Sequence, residues 1–180
     1  MSQVRGLLRG IAVHSGSAPA AILTGVDTVM ESLQMETTAT AVVARFELRA
    51  GLGAAPGEAL VRWSHAGHPP ALMLSSDGRV SRMADVDTND LLLGLDPSTP
   101  RAEHVAVLEP GATLVFYTDG LVERRERDVD DGVDELAELL GDLAPERLDV
   151  DDLCDHLLGG MIGDKPEDDV ALLVVRLAPG

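Results

Sequence analysis

LEPGATLVFYTDGLVE, residues 108–123, holds the densest structural information in the chain. Its Glu109-Pro110-Gly111 opening reads as a turn. Residues 112–118 follow as a nearly continuous apolar run, the pattern of a central strand buried on both faces. That strand runs straight into Asp119 and Gly120. Glycine lets the backbone turn there and leaves the carboxylate approachable. A carboxylate at the end of a central strand suits a hard cation, which prefers oxygen ligands. On spacing alone, an ordinary Asp-Gly turn is the favoured reading.

Working outward, residues 103–108 read as a strand before that turn, and residues 59–66 and 39–48 as strands with β-branched enrichment. GLGAAPG, residues 51–57, reads as a hairpin loop between those two. Residues 71–74 and 79–83 flank Asp77-Gly78, a tight-turn signature, and form a further hairpin. Residues 91–95, LLLGL, are a short apolar run closed by Asp96-Pro97.

Helical spacing appears at both ends. Val4, Leu7, Leu8 and Ile11 recur in the first segment. Ile22, Leu23, Val26, Val29, Met30 and Leu33 make an amphipathic helix over 18–34, with Ser17 as the expected N-cap. Residues 131–143 and 149–161 are helical again, and residues 170–177 form a last strand. Two helices, six or seven strands, two helices and one strand argue for an α+β fold with mostly antiparallel pairing. The charged run 123–131 reads as a solvated loop.

Composition sets the function classes. The chain has 180 residues, 45% of them apolar, enough for one domain with a sizeable core. Its formal net charge of −17 argues against nucleic acid, whose phosphates demand clustered cations. It argues equally against an anionic membrane surface. No apolar run reaches the ~18 residues of a membrane span. The lone Cys154 excludes an internal disulfide, and its place beside Leu153 and Leu157 marks it as a core thiol. A soluble, cytoplasmic, acidic domain is the expectation.

Two further segments are more polar than a loop requires. SHAGHPP, residues 64–70, holds His65 and His68 three apart, a spacing open to metal ligation. The favoured alternative is a turn at Gly67 stiffened by two prolines, with the histidines bonding loop backbone or facing a site without binding metal. Glu167-Asp168-Asp169 precedes the last strand; adjacent carboxylates repel unless a cation or arginine screens them. In a strand-like segment Asp168 and Asp169 would face opposite sides, so only one would join a given site. An exposed acidic loop competes with that reading. Walker loops, dinucleotide fingerprints, His-Glu-x-x-His helices and Gly-x-Ser-x-Gly elbows do not occur.

WSHAGHPPALML, LLLGL, LEPGATLVFYTDGLVE and EDDVALLVVRL, in this order and spacing, resemble the SpoIIE/RsbU-type branch of the PPM (PP2C-like) serine/threonine phosphatases over nearly the whole chain. The resemblance implies a single domain over 1–180, a two-layer antiparallel β-sandwich flanked by helix pairs. It implies two Mn²⁺ or Mg²⁺ ions that activate water to hydrolyse a phosphoserine or phosphothreonine. Asp119 and Asp168 match metal ligands of the family. Asp169, Gly120, Gly67 and His68 match positions near the site. The implied partner is a phosphorylated regulatory protein of the anti-sigma-factor-antagonist type.

The family also carries Asp-x-Gly-Gly-Asp and Gly-Asp-x-x-Gly-His-Gly segments, which supply a metal-bridging aspartate and a glycine carbonyl. Neither occurs in this sequence. The expectation is therefore the C-terminal two thirds or so of a catalytic domain, holding at most one metal weakly. Such a chain would be impaired as an enzyme, or would act as a non-catalytic module binding a regulatory partner. Exposed sheet edges would favour a homo-oligomer.

Overall fold

The computed structural model describes residues 2–49, 55–83, 91–123, 128–146, 148–162 and 168–178. They divide into two compact units: Met1–Leu48, Leu60–His68 and Val86–Val107 form the first, and Arg49–Ala59, Pro69–Asp85 and Leu108–Gly180 the second. The class is α+β with antiparallel sheets and four helices.

In the first unit, helices α1 (Ser2–Ser15) and α2 (Pro19–Ser32) accompany a three-stranded sheet ordered β1 (Ala41–Leu48), β2 (Ala59–Ala66), β5 (His104–Leu108). The apolar stripe of α2 behaves as its spacing predicts: Ile22, Leu23, Val26 and Met30 are buried. Leu23, Val26 and Met30 pack with Val4, Ala39, Ala66 and Leu93. The N-cap is Ala18 rather than Ser17, and Ala18 has no polar side chain to cap with; the Ala20 N–H in the first turn donates instead to Glu103 Oε2 at 3.4 Å. The Ser17 carbonyl accepts Arg45 Nη2 at 2.6 Å, and Pro19 sits at the first helical position, where its missing N–H would have no intrahelical partner.

Asp27 sits on the same buried face of α2. Its Oδ2 accepts Arg101 Nε at 3.0 Å and Nη2 at 2.6 Å. Its Oδ1 accepts the Gly94 N–H at 2.9 Å. Gly94, at φ +80°, could carry no side chain: a Cβ would lie 2.4 Å from the Thr37 carbonyl oxygen. LLLGL is therefore a tightly fixed connection, bridged through Leu93 to Ala39.

In the second unit, β3 (Leu72–Leu74) and β4 (Val80–Arg82) form the expected hairpin within a four-stranded antiparallel sheet ordered β4-β3-β6-β7. Strand β6 (Thr113–Tyr117) lies between β3 and β7 (Leu172–Arg176), which makes it the interior strand the apolar run predicts. Helices α3 (Val129–Leu143) and α4 (Val150–Met161) bury Val133, Leu136, Leu140, Leu153, Leu157 and Met161 with Leu72, Val115 and Val174. Cys154 packs partly buried at this core's edge, and burial pushes its thiol pKa up.

The acidic surplus has a local use here. Asp128 caps α3 by accepting the Asp130 N–H, and Asp149 caps α4 by accepting the Asp152 N–H. Asp130, Asp131, Asp151 and Asp152 occupy the first turns, where carboxylates meet the positive end of the helix dipole. The end of the run read as a solvated loop is thus a helix cap and first turn; residues 124–127 lie outside the described residues. So do 51–54 of the expected hairpin loop and Glu167 of the acidic triplet.

Candidate functional site

The carboxyl end of β6 carries the site. Thr118 stays extended, and a 3₁₀ turn at Asp119–Leu121 follows at once. The turn is fixed by the Asp119 carbonyl, which accepts the N–H groups of Val122 at 2.9 Å and Glu123 at 2.7 Å. Leu121 and Val122 are buried beneath it. Helix α3 passes so close that a Cβ on Gly132 would lie 2.0 Å from the Val122 carbonyl oxygen. Asp119 is half-buried, and its Oδ1 accepts the Gly120 N–H at 2.9 Å.

Thr118 ties this turn to the chain entering β7. Its N–H donates to the Ala171 carbonyl at 3.0 Å. Its hydroxyl donates to the Asp169 carbonyl at 3.0 Å and accepts the Ala171 N–H at 2.8 Å. Gly120 completes the approach: a Cβ there would stand 2.7 Å from the Asp169 carbonyl oxygen and 3.3 Å from the Asp168 carbonyl carbon. Asp119, Gly120, Asp168 and Asp169 are therefore neighbours at one end of the four-stranded sheet.

Asp168 and Asp169 are exposed and precede β7, so the strand-based expectation of opposite faces does not apply. Asp168 Oδ1 accepts the Asp169 N–H at 2.7 Å, a local side-chain bond of the kind that competes with a strand ladder. The clamping role of Thr118 is not legible from the motif; a hydroxyl residue beside a strand-end aspartate is the one sequence signal for it.

Asp119 and Asp168 each use one oxygen on the following backbone N–H, leaving the other for a cation. Carboxylate oxygens suit Mg²⁺ or Mn²⁺. Among the described residues, no group of three or more His, Cys, Asp or Glu side chains is arranged to hold a metal. Carboxylates of this kind suit a hydrated hard cation, and among the described residues they form no closed cage.

Tyr117 anchors the base of the site. Its hydroxyl donates to the Pro70 carbonyl at 2.6 Å, and burial pushes its pKa well up. Arg82, on β4, reaches Asp130 at 3.0 Å and Asp134 at 2.7 Å and so fastens this sheet to α3.

Gly67 and His68 lie in the first unit. Gly67, at φ +60°, bridges to Ala41, and a Cβ there would meet Leu92 at 3.0 Å. His68 Nδ1 lies 3.2 Å from the Thr40 hydroxyl. His65 is on β2, its ring stacked on His104 at 5.8 Å, with Trp63 stacked on the other histidine at 5.3 Å. The two histidines of SHAGHPP thus have different surroundings.

The family model described as Stage II sporulation protein E (SpoIIE) matches residues 1–178. Among solved structures, the RsbU and RsbW domains of a Mycobacterium tuberculosis protein align at TM-score 0.79 and 30% identity, covering 100% of this chain and 48% of that one. The PP2C domain of SiaA from Pseudomonas aeruginosa aligns at TM-score 0.64 and 19% identity, over 96% and 67%. The PP2C domain of Bacillus subtilis SpoIIE, with a regulatory fragment, aligns at TM-score 0.67 and 17% identity, over 98% and 49%. The chain therefore spans about half the length of the Mycobacterium tuberculosis chain it matches.

Proposed function

Because the chain belongs to the SpoIIE family, whose members are PP2C-type phosphatases, we propose that it is a metal-dependent serine/threonine phosphatase domain acting on a phosphorylated regulatory protein. PP2C-like phosphatases are metal-dependent. The observation that supports the reading is the Thr118 clamp, which ties the backbone just before Asp119 to the Asp169 carbonyl and the Ala171 N–H at the end of β6.

Asp119 and Asp168 would hold a Mg²⁺ or Mn²⁺ ion. When bound, such an ion lowers the pKa of a coordinated water and neutralises charge on phosphoryl oxygens. Thr118 fixes the spacing of the two chain segments, and Gly120 keeps the approach free of side-chain atoms. Asp169 stands next to the pair, its side chain exposed to solvent. The whole of residues 1–180 would work as one phosphatase domain, in the cytoplasm. The phosphoprotein would be of the anti-sigma-factor-antagonist type. A net charge of −17 disfavours nucleic acid as a partner, and no helix among the described residues is long and apolar enough to cross a membrane.

The sparse donor set supports a second reading, a binding module without turnover. Hydrolysis of p-nitrophenyl phosphate with Mn²⁺ separates the two. Slow turnover that disappears in Asp119→Asn is the expected result. No Mn²⁺-dependent turnover would favour the binding module. Rapid turnover would overturn the view that two carboxylates limit this chain. Calorimetry of Mn²⁺ binding tests the ligands directly, and equal affinity in wild type and Asp168→Ala would remove Asp168 from the site.

A further inference from the structure

Among the described arginines of its unit, Arg176 stands apart. The chain has 31 acidic residues, yet Arg176 forms no ion pair among the described residues. Its guanidinium is held by neutral acceptors instead: Nε donates to the Thr113 hydroxyl at 2.9 Å, and Nη1 donates to the Leu148 carbonyl. Arginine has five N–H donors, so these bonds leave about three unused. Thr113 is buried and Arg176 half-buried, so the group is fixed in place without being neutralised.

A cavity of about 410 Å³ opens beside it, lined by Leu74, Ser76, Gly111, Thr113, Ala144 and Arg176 among others. That volume falls within the ~300–1,000 Å³ of small-molecule sites. Gly78 and Gly111 keep the walls bare: Cβ atoms there would lie 3.9 Å from Ala144 and 3.8 Å from Ser76. Two carboxylates beside Ser75 and Ser76 are occupied. Glu109 accepts the Ser76 hydroxyl at 3.2 Å, and Asp77 accepts the Ser75 hydroxyl at 2.6 Å and pairs with Arg79 at 2.7 Å.

The cavity is separate from the carboxylate site. Thr113 pairs with Arg176 at one end of the β6–β7 ladder, and Tyr117 pairs with Leu172 at the other. Four residues of strand place them about 13 Å apart.

We propose that this cavity binds a small ligand through an oxyanion, a carboxylate or phosphate group, seated on the free N–H groups of Arg176. The fork of a guanidinium matches either oxyanion bidentately. The serine hydroxyls, donating to Asp77 and Glu109, present their lone pairs as acceptors for N–H or O–H groups on the ligand body. The proposal does not depend on the phosphatase reading.

The test is a titration followed by amide NMR at Ser76, Gly78 and Gly111, with EDTA present and in an Asp119→Asn background, so that no cation-held phosphate interferes. Sodium phosphate and sodium acetate are the probes, with sodium chloride at equal ionic strength as the charge control. Saturable shifts with an oxyanion but not with chloride are expected, and about 10-fold weaker binding in Arg176→Gln. Ala144→Leu, which fills the cavity and spares the guanidinium bonds, should abolish saturation. Phosphate binding more tightly than acetate would identify a phosphate group, and the reverse a carboxylate. Absence of saturation, or shifts unchanged in Arg176→Gln, would overturn the proposal. If that variant fails to fold, unchanged shifts in Ala144→Leu would overturn it alone.

Discussion

Arg101 places both Nε and Nη2 on a single oxygen of Asp27, at 3.0 and 2.6 Å, and both side chains are fully enclosed. The remaining Asp27 oxygen takes the Gly94 N–H, and Arg101 also donates to the Leu91 and Leu92 carbonyls. One ion pair thereby fixes helix α2 to the LLLGL segment, with almost every polar atom partnered.

Removing one partner should be costly. Arg101→Met would leave the Asp27 carboxylate buried without its cation, a change worth about 3–5 kcal/mol. Urea denaturation should show a midpoint lowered by that loss divided by the slope, with the slope unchanged. Asp27→Leu combined with Arg101→Met should lose much less, because a buried pair replaced by apolar groups is often near neutral. Equal losses in the single and double variants would show that the backbone bonds to Leu91, Leu92 and Gly94 carry the stability instead.

Gly94 itself offers a sharper probe of the same junction. Gly94→Ala combines a left-handed φ of +80° with a Cβ 2.4 Å from the Thr37 carbonyl oxygen and 2.7 Å from Met30 Cε. Backbone strain alone is worth about 1–3 kcal/mol, and the carbonyl cannot yield as a flexible side chain would. Thermal unfolding should place Gly94→Ala clearly below wild type; a Tm within a degree or two would mean that the 37–39 segment relaxes freely.

These two features mark the boundary of what the sequence reveals. The order of elements follows from period alone: β2 matches its expected bounds, and β6 is interior because residues 112–118 are apolar on both faces. The strand-end Asp119 and the Gly120 approach were also legible, since only glycine allows backbone so near. Asp27 was not. It interrupts an apolar stripe in a way that reads as a surface residue, and its partner lies 74 positions away. Helix boundaries shifted for a similar reason. Asp128 looked like one charge in a solvated run, whereas its side chain caps α3. A carboxylate's role depends on which N–H it meets, and spacing does not show that.

Gly120→Ala tests the site more selectively than it tests the fold. The added Cβ would press on the Asp169 carbonyl at 2.7 Å, forcing the 168–169 backbone away from the β6 end. Gly120 lies at the surface end of the sheet, half-buried, so the core of α3 and α4 should persist. Mn²⁺ affinity should fall by about 10-fold or more, near 1.4 kcal/mol, with a smaller loss in unfolding free energy. Unchanged Mn²⁺ affinity would mean that the two carboxylates do not act on one ion.

Tyr117 gives a spectroscopic test, because it is the chain's only tyrosine. Burial lifts its phenol above the ordinary value of 10.0, and the hydroxyl donates to Pro70 at 2.6 Å, a bond only the neutral form can make. A raised folded-state pKa contributes stability that is complete below the unfolded value and is lost as pH rises toward the folded one. Phenolate absorbance near 295 nm should therefore stay absent at pH 10, where an exposed tyrosine is about half ionised. It should appear at higher pH together with the loss of native circular dichroism. Tyr117→Phe should lose the hydrogen bond, at about 0.5–1.5 kcal/mol near neutral pH, and should flatten the alkaline decline in stability. Phenolate formation at pH 10 with the fold intact would show that the phenol is open to solvent and that its bond to Pro70 does not hold in solution.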